Sequence, residues 1–83
     1  MLSEASRTVA EDARKLYDSR LREELERRCP GKYVSIEPVS GAFFLGDTFD
    51  EAVNAAIDAF PDRLTYTLRV GYTAALHLGV MVS

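Results

Sequence analysis

Reactive side chains are scarce in this chain of 83 residues, which holds one cysteine, one histidine and no tryptophan. A single cysteine, Cys29, excludes an internal disulfide and a thiolate metal cluster. His77 and Cys29 stand far apart in sequence, and nothing in the pattern supplies the third group that orients a nucleophilic pair. The five glycines are scattered, so neither a phosphate-cradling loop nor a dinucleotide fingerprint is present. No apolar run approaches the ~20 residues that cross a bilayer. The N-terminal segment is charged from Glu4 onward and lacks the apolar region of a signal peptide. The expectation is a cytoplasmic protein without cofactor or metal, and not an enzyme.

Positive charge is also thin where a folded core would lie. The formal net charge is −3. Up to Cys29 seven basic residues balance seven acidic ones, whereas from Pro30 onward three basic residues face six acidic ones. Such a balance gives no general attraction to nucleic acid or to an anionic membrane, and neither is expected as a partner. Eighty-three residues make one small domain, 1–83, with an N-terminal helix over 1–29 and a sheet-plus-helix core over 32–78. A core of that size is marginal, and pairing with a second copy would bury more of its apolar surface.

What is present is patterning. Val9, Ala13, Leu16, Tyr17, Leu21 and Leu25 fall mostly four apart, which predicts a helix over about 6–28. Thr8 and Glu11 have capping-box spacing, and Ser3 offers an earlier start. Steps of four drift by roughly 40° each on an α-helix, so this stripe winds around it. The opposite face carries Glu11–Lys15, Asp18–Arg22, Glu23–Arg27 and Glu24–Arg28 in the favourable acid-first order. Pro30 and Gly31 stop the helix. Lys32 to Glu37 alternates as a half-buried strand, with Val34 and Ile36 on one face and Tyr33, Ser35 and Glu37 on the other. A turn at Pro38–Gly41 leads into a short strand, Ala42 to Leu45, whose adjacent Phe43 and Phe44 require cover on both faces.

Asp47-Thr48 resembles the start of an aspartic-protease signature, but Phe49 stands where that signature needs glycine. Thr48 and Glu51 instead form a capping box ahead of Ala52, Val53, Ala56, Ile57 and Phe60, a single helical face that Pro61 ends. Leu64 to Gly71 is the clearest strand: Leu64, Tyr66, Leu68 and Val70 point one way, and Thr65, Thr67 and Arg69 the other. A fourth strand over Thr73 to Leu78 stays open, and Val80 to Val82 is an apolar tail. Asp47, Asp50 and Glu51 lie close together, but a helix N-terminus attracts carboxylates without any metal.

The order "KYVSIEPVSGAFFLGDTFDEAVNAAIDAF" resembles the core of HicB-like antitoxins. The matching positions are Gly46, Asp47, Thr48, Glu51 and Ala52, within about Lys32 to Val70. The resemblance implies a ββ(β)αβ sheet with a helix on one face, and dimers or higher oligomers. The helix-turn-helix or basic strand that usually follows such a core has no counterpart in Gly71 to Ser83, so DNA autoregulation is not expected. The whole chain is also similar to a group of short bacterial proteins without an established activity. They share the motif over Lys32 to Gly41, Gly46 to Thr48, Pro61 to Leu64, and Arg69 to Gly71. What the two resemblances imply is a partner encoded nearby, either a toxin or a small retropepsin-like protease.

The expected fold is therefore α+β, in the order α-β-β-α-β(-β). A three- or four-stranded, mainly antiparallel sheet carries the Ala52–Phe60 helix on its apolar face, and the long N-terminal helix packs nearby or across a dimer. The expected core comprises Leu16, Leu21, Val34, Ile36, Phe43 or Phe44, Leu45, Val53, Ile57, Phe60, Leu64, Tyr66, Leu68 and Val70. The expected function is a non-catalytic protein-binding module, antitoxin-like, with self-assembly as the alternative. The candidate contact residues are Tyr33, Ser35, Thr65, Thr67 and Arg69 on the polar sheet face, with Leu21 and Leu25 on the helix stripe.

Overall fold

The computed structural model describes residues 4–71 and 80–81, with side chains from Arg7 to Gly71. The architecture is α+β. Helix α1 (Glu4–Leu16) passes through a π-helical turn (Tyr17–Leu21) into α2 (Arg22–Arg28). Strands β1 (Tyr33–Glu37) and β2 (Ala42–Gly46) form a hairpin, helix α3 (Phe49–Ala59) follows, and β3 (Thr65–Arg69) returns to the sheet. A two-residue strand β4 (Val80–Met81) pairs with β3. All pairings are antiparallel, in the order β2-β1-β3-β4. The fourth strand considered over Thr73 to Leu78, and His77 within it, lie outside the described residues.

The N-terminal helix is already formed at Glu4, so Thr8 and Glu11 lie inside it rather than at its cap. Its π turn, closed by Arg22 N–H donating to the Tyr17 carbonyl, answers the winding of the apolar stripe. A turn bridging five residues holds more than 3.6, so a step of four falls short of a full turn there instead of overshooting it. Part of the accumulated drift is taken back. Ala13, Tyr17 and Leu25 are buried, and Val9, Leu21 and Cys29 pack against the same cluster. On the outer face Asp18–Arg22 and Glu24–Arg28 pair as the spacing predicts, and Arg14–Asp18 and Arg22–Glu26 also close. These are exposed pairs, each contributing only about 0.3–0.5 kcal/mol. Gly31, at φ +85°, turns the chain out of the helix, and its N–H donates to the Val70 carbonyl.

The sheet has helices on both faces. Val34 and Ile36 of β1, with Tyr66, Leu68 and Val70, meet Ala13, Tyr17 and Leu25 of the N-terminal helix. Helix α3 lies on the opposite, polar face. Ring contacts mark its seat: Tyr33 meets Phe49 edge-on at 6.2 Å, and Phe44 meets Phe60 at 6.1 Å. This reverses the expectation that α3 would cover the apolar face. The N-terminal helix already fills that side, so α3 is left with serine, threonine and small residues. It meets them with Ala52, Val53 and Ala56, all buried. The expected core is correspondingly redistributed. Leu16, Leu21, Phe44, Ile57, Phe60 and Leu64 are half-buried, and Phe43 and Leu45 are exposed at 40% and 39%.

Two fasteners position the hairpin and α3. Glu37 is almost wholly enclosed and holds its own turn, accepting hydrogen bonds from Val39 N–H at 3.0 Å and Ser40 N–H at 2.9 Å, with Arg63 Nη1 at 3.3 Å. Burial alone would raise its carboxyl, but bonds from the Ser40 side chain and the Ser40 and Val39 backbone, with the Arg63 charge, outweigh it. The group is held below the ordinary carboxylate range. The second fastener is the capping box. Thr48 Oγ1 accepts from Glu51 N–H at 3.1 Å, and the Glu51 carboxylate accepts from Asp47 N–H at 2.8 Å. Gly46 precedes it because nothing larger fits, since a Cβ there would lie 2.5 Å from the Ala52 nitrogen.

Two outcomes follow. Gly46→Ala must push α3 off the sheet and will lower stability by about 1–3 kcal/mol in urea unfolding. Because the Glu37 carboxyl is depressed in the folded state, its contribution is complete above its unfolded value of about 4.3. It is lost as pH falls from there through the folded value. Glu37→Gln will cost about 1–3 kcal/mol at neutral pH and flatten the fall in stability below about pH 4.3.

Candidate functional site

Seven residues were candidates for contact, and the structure separates them into three places. Ser35, Thr65 and Thr67 are buried under α3, at 0%, 1% and 0% exposure. They form no free recognition surface, because the polar face on which they stand is the seat of a helix. Ser35 and Thr67 are directly opposed across β1 and β3 and share a hydrogen bond of 2.8 Å. Thr65 Oγ1 is enclosed and has no hydrogen-bond partner among the described residues. Tyr33 and Arg69 sit at one end of that face. The Arg69 guanidinium lies 5.5 Å from the Tyr33 ring centroid, and its Nε donates to the Gly31 carbonyl at 3.0 Å. Leu21 and Leu25 lie on the other face of the sheet and belong to a different feature.

That feature is an apolar groove between α2 and β2. Leu21, Leu25, Cys29, Phe43 and Leu45 form its floor and walls, around a cavity of about 410 Å³. Arg20, Glu24 and Arg28 stand at its rim. The groove exists because β2 is the last strand on its side of the sheet, with no strand beyond it among the described residues. Successive β2 side chains alternate between the faces. Phe44 goes to the α3 face and finds Phe60, whereas Phe43 and Leu45 go to the α2 face and remain the large apolar residues left about two-fifths exposed there. Val39, in the turn beside them, is 76% exposed.

Phe43 and Leu45 are exposed residues that patterning assigned to the core. The signal was in the back-to-back phenylalanines, since an end strand receives full cover on neither face. Of two smaller hollows, one of about 360 Å³ beside Tyr66 is lined mainly by charged residues, and one of about 340 Å³ beside Asp47 sets Lys32, Asp47 and Glu51 against Cys29, Leu45 and Gly46. Near the groove, Tyr17 is buried and its hydroxyl donates to Glu26 at 3.3 Å. Burial, with the Glu26 carboxylate, pushes the phenol up from its ordinary value.

The groove presents apolar side chains at a concave surface. Among the described residues no three histidine, cysteine, aspartate or glutamate side chains gather where they could hold a metal ion, and no helix is long and apolar enough to cross a membrane. Cys29 is a free thiol, half-buried at the groove floor. No family model matches the chain, and no curated protein and no solved structure is significantly similar to it.

The buried hydroxyls give a pair of opposite expectations for urea unfolding. Thr65→Val removes an oxygen that has no partner among the described residues and will leave stability unchanged or raise it by about 1–2 kcal/mol. Thr67→Val strands the Ser35 hydroxyl and will lower it by about the same amount.

Proposed function

We propose that this chain is a non-catalytic protein-binding module, antitoxin-like, which holds a partner protein at the apolar strip formed by β2 and the groove under α2. The observation that carries the reading is the pair Phe43 and Leu45, exposed at 40% and 39% on an end strand beside a cavity of about 410 Å³. Apolar side chains gathered at a concave surface with a charged rim are the arrangement by which anchor residues are recognised. The resemblance of Lys32 to Val70 to HicB-like antitoxins supports the same class, and a toxin or a small protease encoded nearby is the natural candidate for the partner.

Several polar side chains serve the scaffold. Asp47 pairs with Lys32, Thr48 caps α3, Glu37 holds its turn and Arg63, and Arg69 fastens Gly31. A second reading, self-assembly, is favoured by one observation: the stretch from Val39 to Gly46 contains neither a charge nor a proline, the usual guards of an open strand edge.

The reading is tested with the wild-type chain and the Phe43→Lys, Leu45→Lys double variant, each immobilised and exposed to extract of native cells. A neighbour-encoded protein retained by the wild type and reduced at least tenfold with the variant is the expected result. Each truncated anchor is worth about 1–2 kcal/mol or more in such a site. Equal retention by both chains, or none by either, overturns it.

A further inference from the structure

We propose that the open edge of β2 pairs with the β2 edge of a second copy, antiparallel and centred on Phe44, so that two sheets become one continuous sheet. This rests on the reading of the β2 strip as a contact surface and names the occupant of its edge.

The direction of the backbone groups fixes the register. Val70 N–H donates to the Lys32 carbonyl, and Gly41 N–H donates to the Glu37 carbonyl. Lys32 therefore turns its carbonyl toward β3. Residues two apart in a strand share a direction, so Val34 and Ile36 also turn toward β3, and Tyr33, Ser35 and Glu37 turn toward β2. Their partners Gly46, Phe44 and Ala42 point inward. Phe43 and Leu45 are left with N–H and C=O groups aimed out of the open edge.

A two-fold axis through Phe44 sets Phe43 of one copy opposite Leu45 of the other, twice. Both members of each pair have outward donors and acceptors, so four backbone hydrogen bonds form without any change in the hairpin. The axis is perpendicular to the sheet, which keeps faces together. The exposed Phe43 and Leu45 side chains of both copies then meet on the α2 side as direct cross-strand neighbours. Such an isologous contact is self-complementary. Charge agrees with it: the strand is uncharged, and the rim carries both signs in Arg20, Glu24 and Arg28, so a second copy does not confront a surface of one sign. Registers centred on Phe43 or Leu45 align only one outward residue with its own copy and set the other opposite Gly41 or Asp47, whose N–H groups already donate to the Glu37 carbonyl and the Glu51 carboxylate.

The test combines light-scattering mass with amide exchange on the intact chain over a wide concentration range. The expected result is a mass twice that of the chain. The Phe43 and Leu45 amides should slow as concentration rises, while that of Phe44, already bonded within the hairpin, does not change. Phe43→Lys with Leu45→Lys should return the single-chain mass and fast exchange. A single-chain mass at every concentration overturns the proposal, as does a double mass that survives both lysines or leaves the two amides fast. A single-chain mass together with a partner lost on the double substitution would sink this inference and leave the functional reading standing. A double mass with no partner captured would do the reverse.

Discussion

The structure depends on β1 being covered on both faces although only one of its faces is apolar. Val34 and Ile36 are fully enclosed on one side, and Ser35 and Glu37 are nearly so on the other. A central strand with this alternation forces each layer to solve a different problem. The apolar face needs volume, and the N-terminal helix supplies it with Ala13, Tyr17 and Leu25. The polar face needs satisfied oxygens and close approach. Ser35 and Thr67 satisfy each other, Glu37 is satisfied by its own turn, and the alanines of α3 allow the helix to lie near the backbone. The polar layer specifies which residues face each other more sharply than the apolar one, because a misplaced hydroxyl in a dry layer loses its partner.

Most elements were legible in the sequence because their signals are local. Thr48 and Glu51 cap α3 as their spacing says, Pro61 follows its end, and the alternation of β1 and β3 gives the correct two sets of side chains. The seat of α3 was not legible. Alternation says that Ser35, Thr65 and Thr67 share a face, but whether a helix lies on it depends on competition between two helices for the apolar side. The longer helix holds that side with residues spaced over several turns, and α3 takes what remains. The same limit applies to the candidate site. Of the residues that line the groove, Leu21 and Leu25 stand on the helix stripe, whereas the exposure of Phe43 and Leu45 depends on strand order, which periodicity does not contain.

The groove and the open edge are products of one circumstance, the terminal position of β2. A strand in the middle of a sheet has four neighbours: two strands and two layers. β2 has β1 on one side, α3 partly below and α2 only obliquely above. Its side chains are therefore divided between anchoring the fold, in the case of Phe44, and facing outward, in the case of Phe43 and Leu45. Contact with another chain can use the outward set without disturbing the inward one, which lets the hairpin serve as scaffold and surface together.

The π turn at Tyr17–Leu21 also bears on how this chain tolerates changes of length. A π turn is the form a helix takes when it carries one residue beyond what a regular ladder requires. Loss of one residue there, such as the exposed Ser19, would let the helix close as an uninterrupted α-helix. Five residues of a π turn sweep about the same angle as four α-helical ones, so every residue after the deletion would keep nearly its present angle relative to α1. Leu25 and Cys29 would stay at the groove while Ala13 and Tyr17 kept their places, whereas loss of one residue from the regular part of α1 or α2 would turn everything beyond it by about 100° and dismantle that surface.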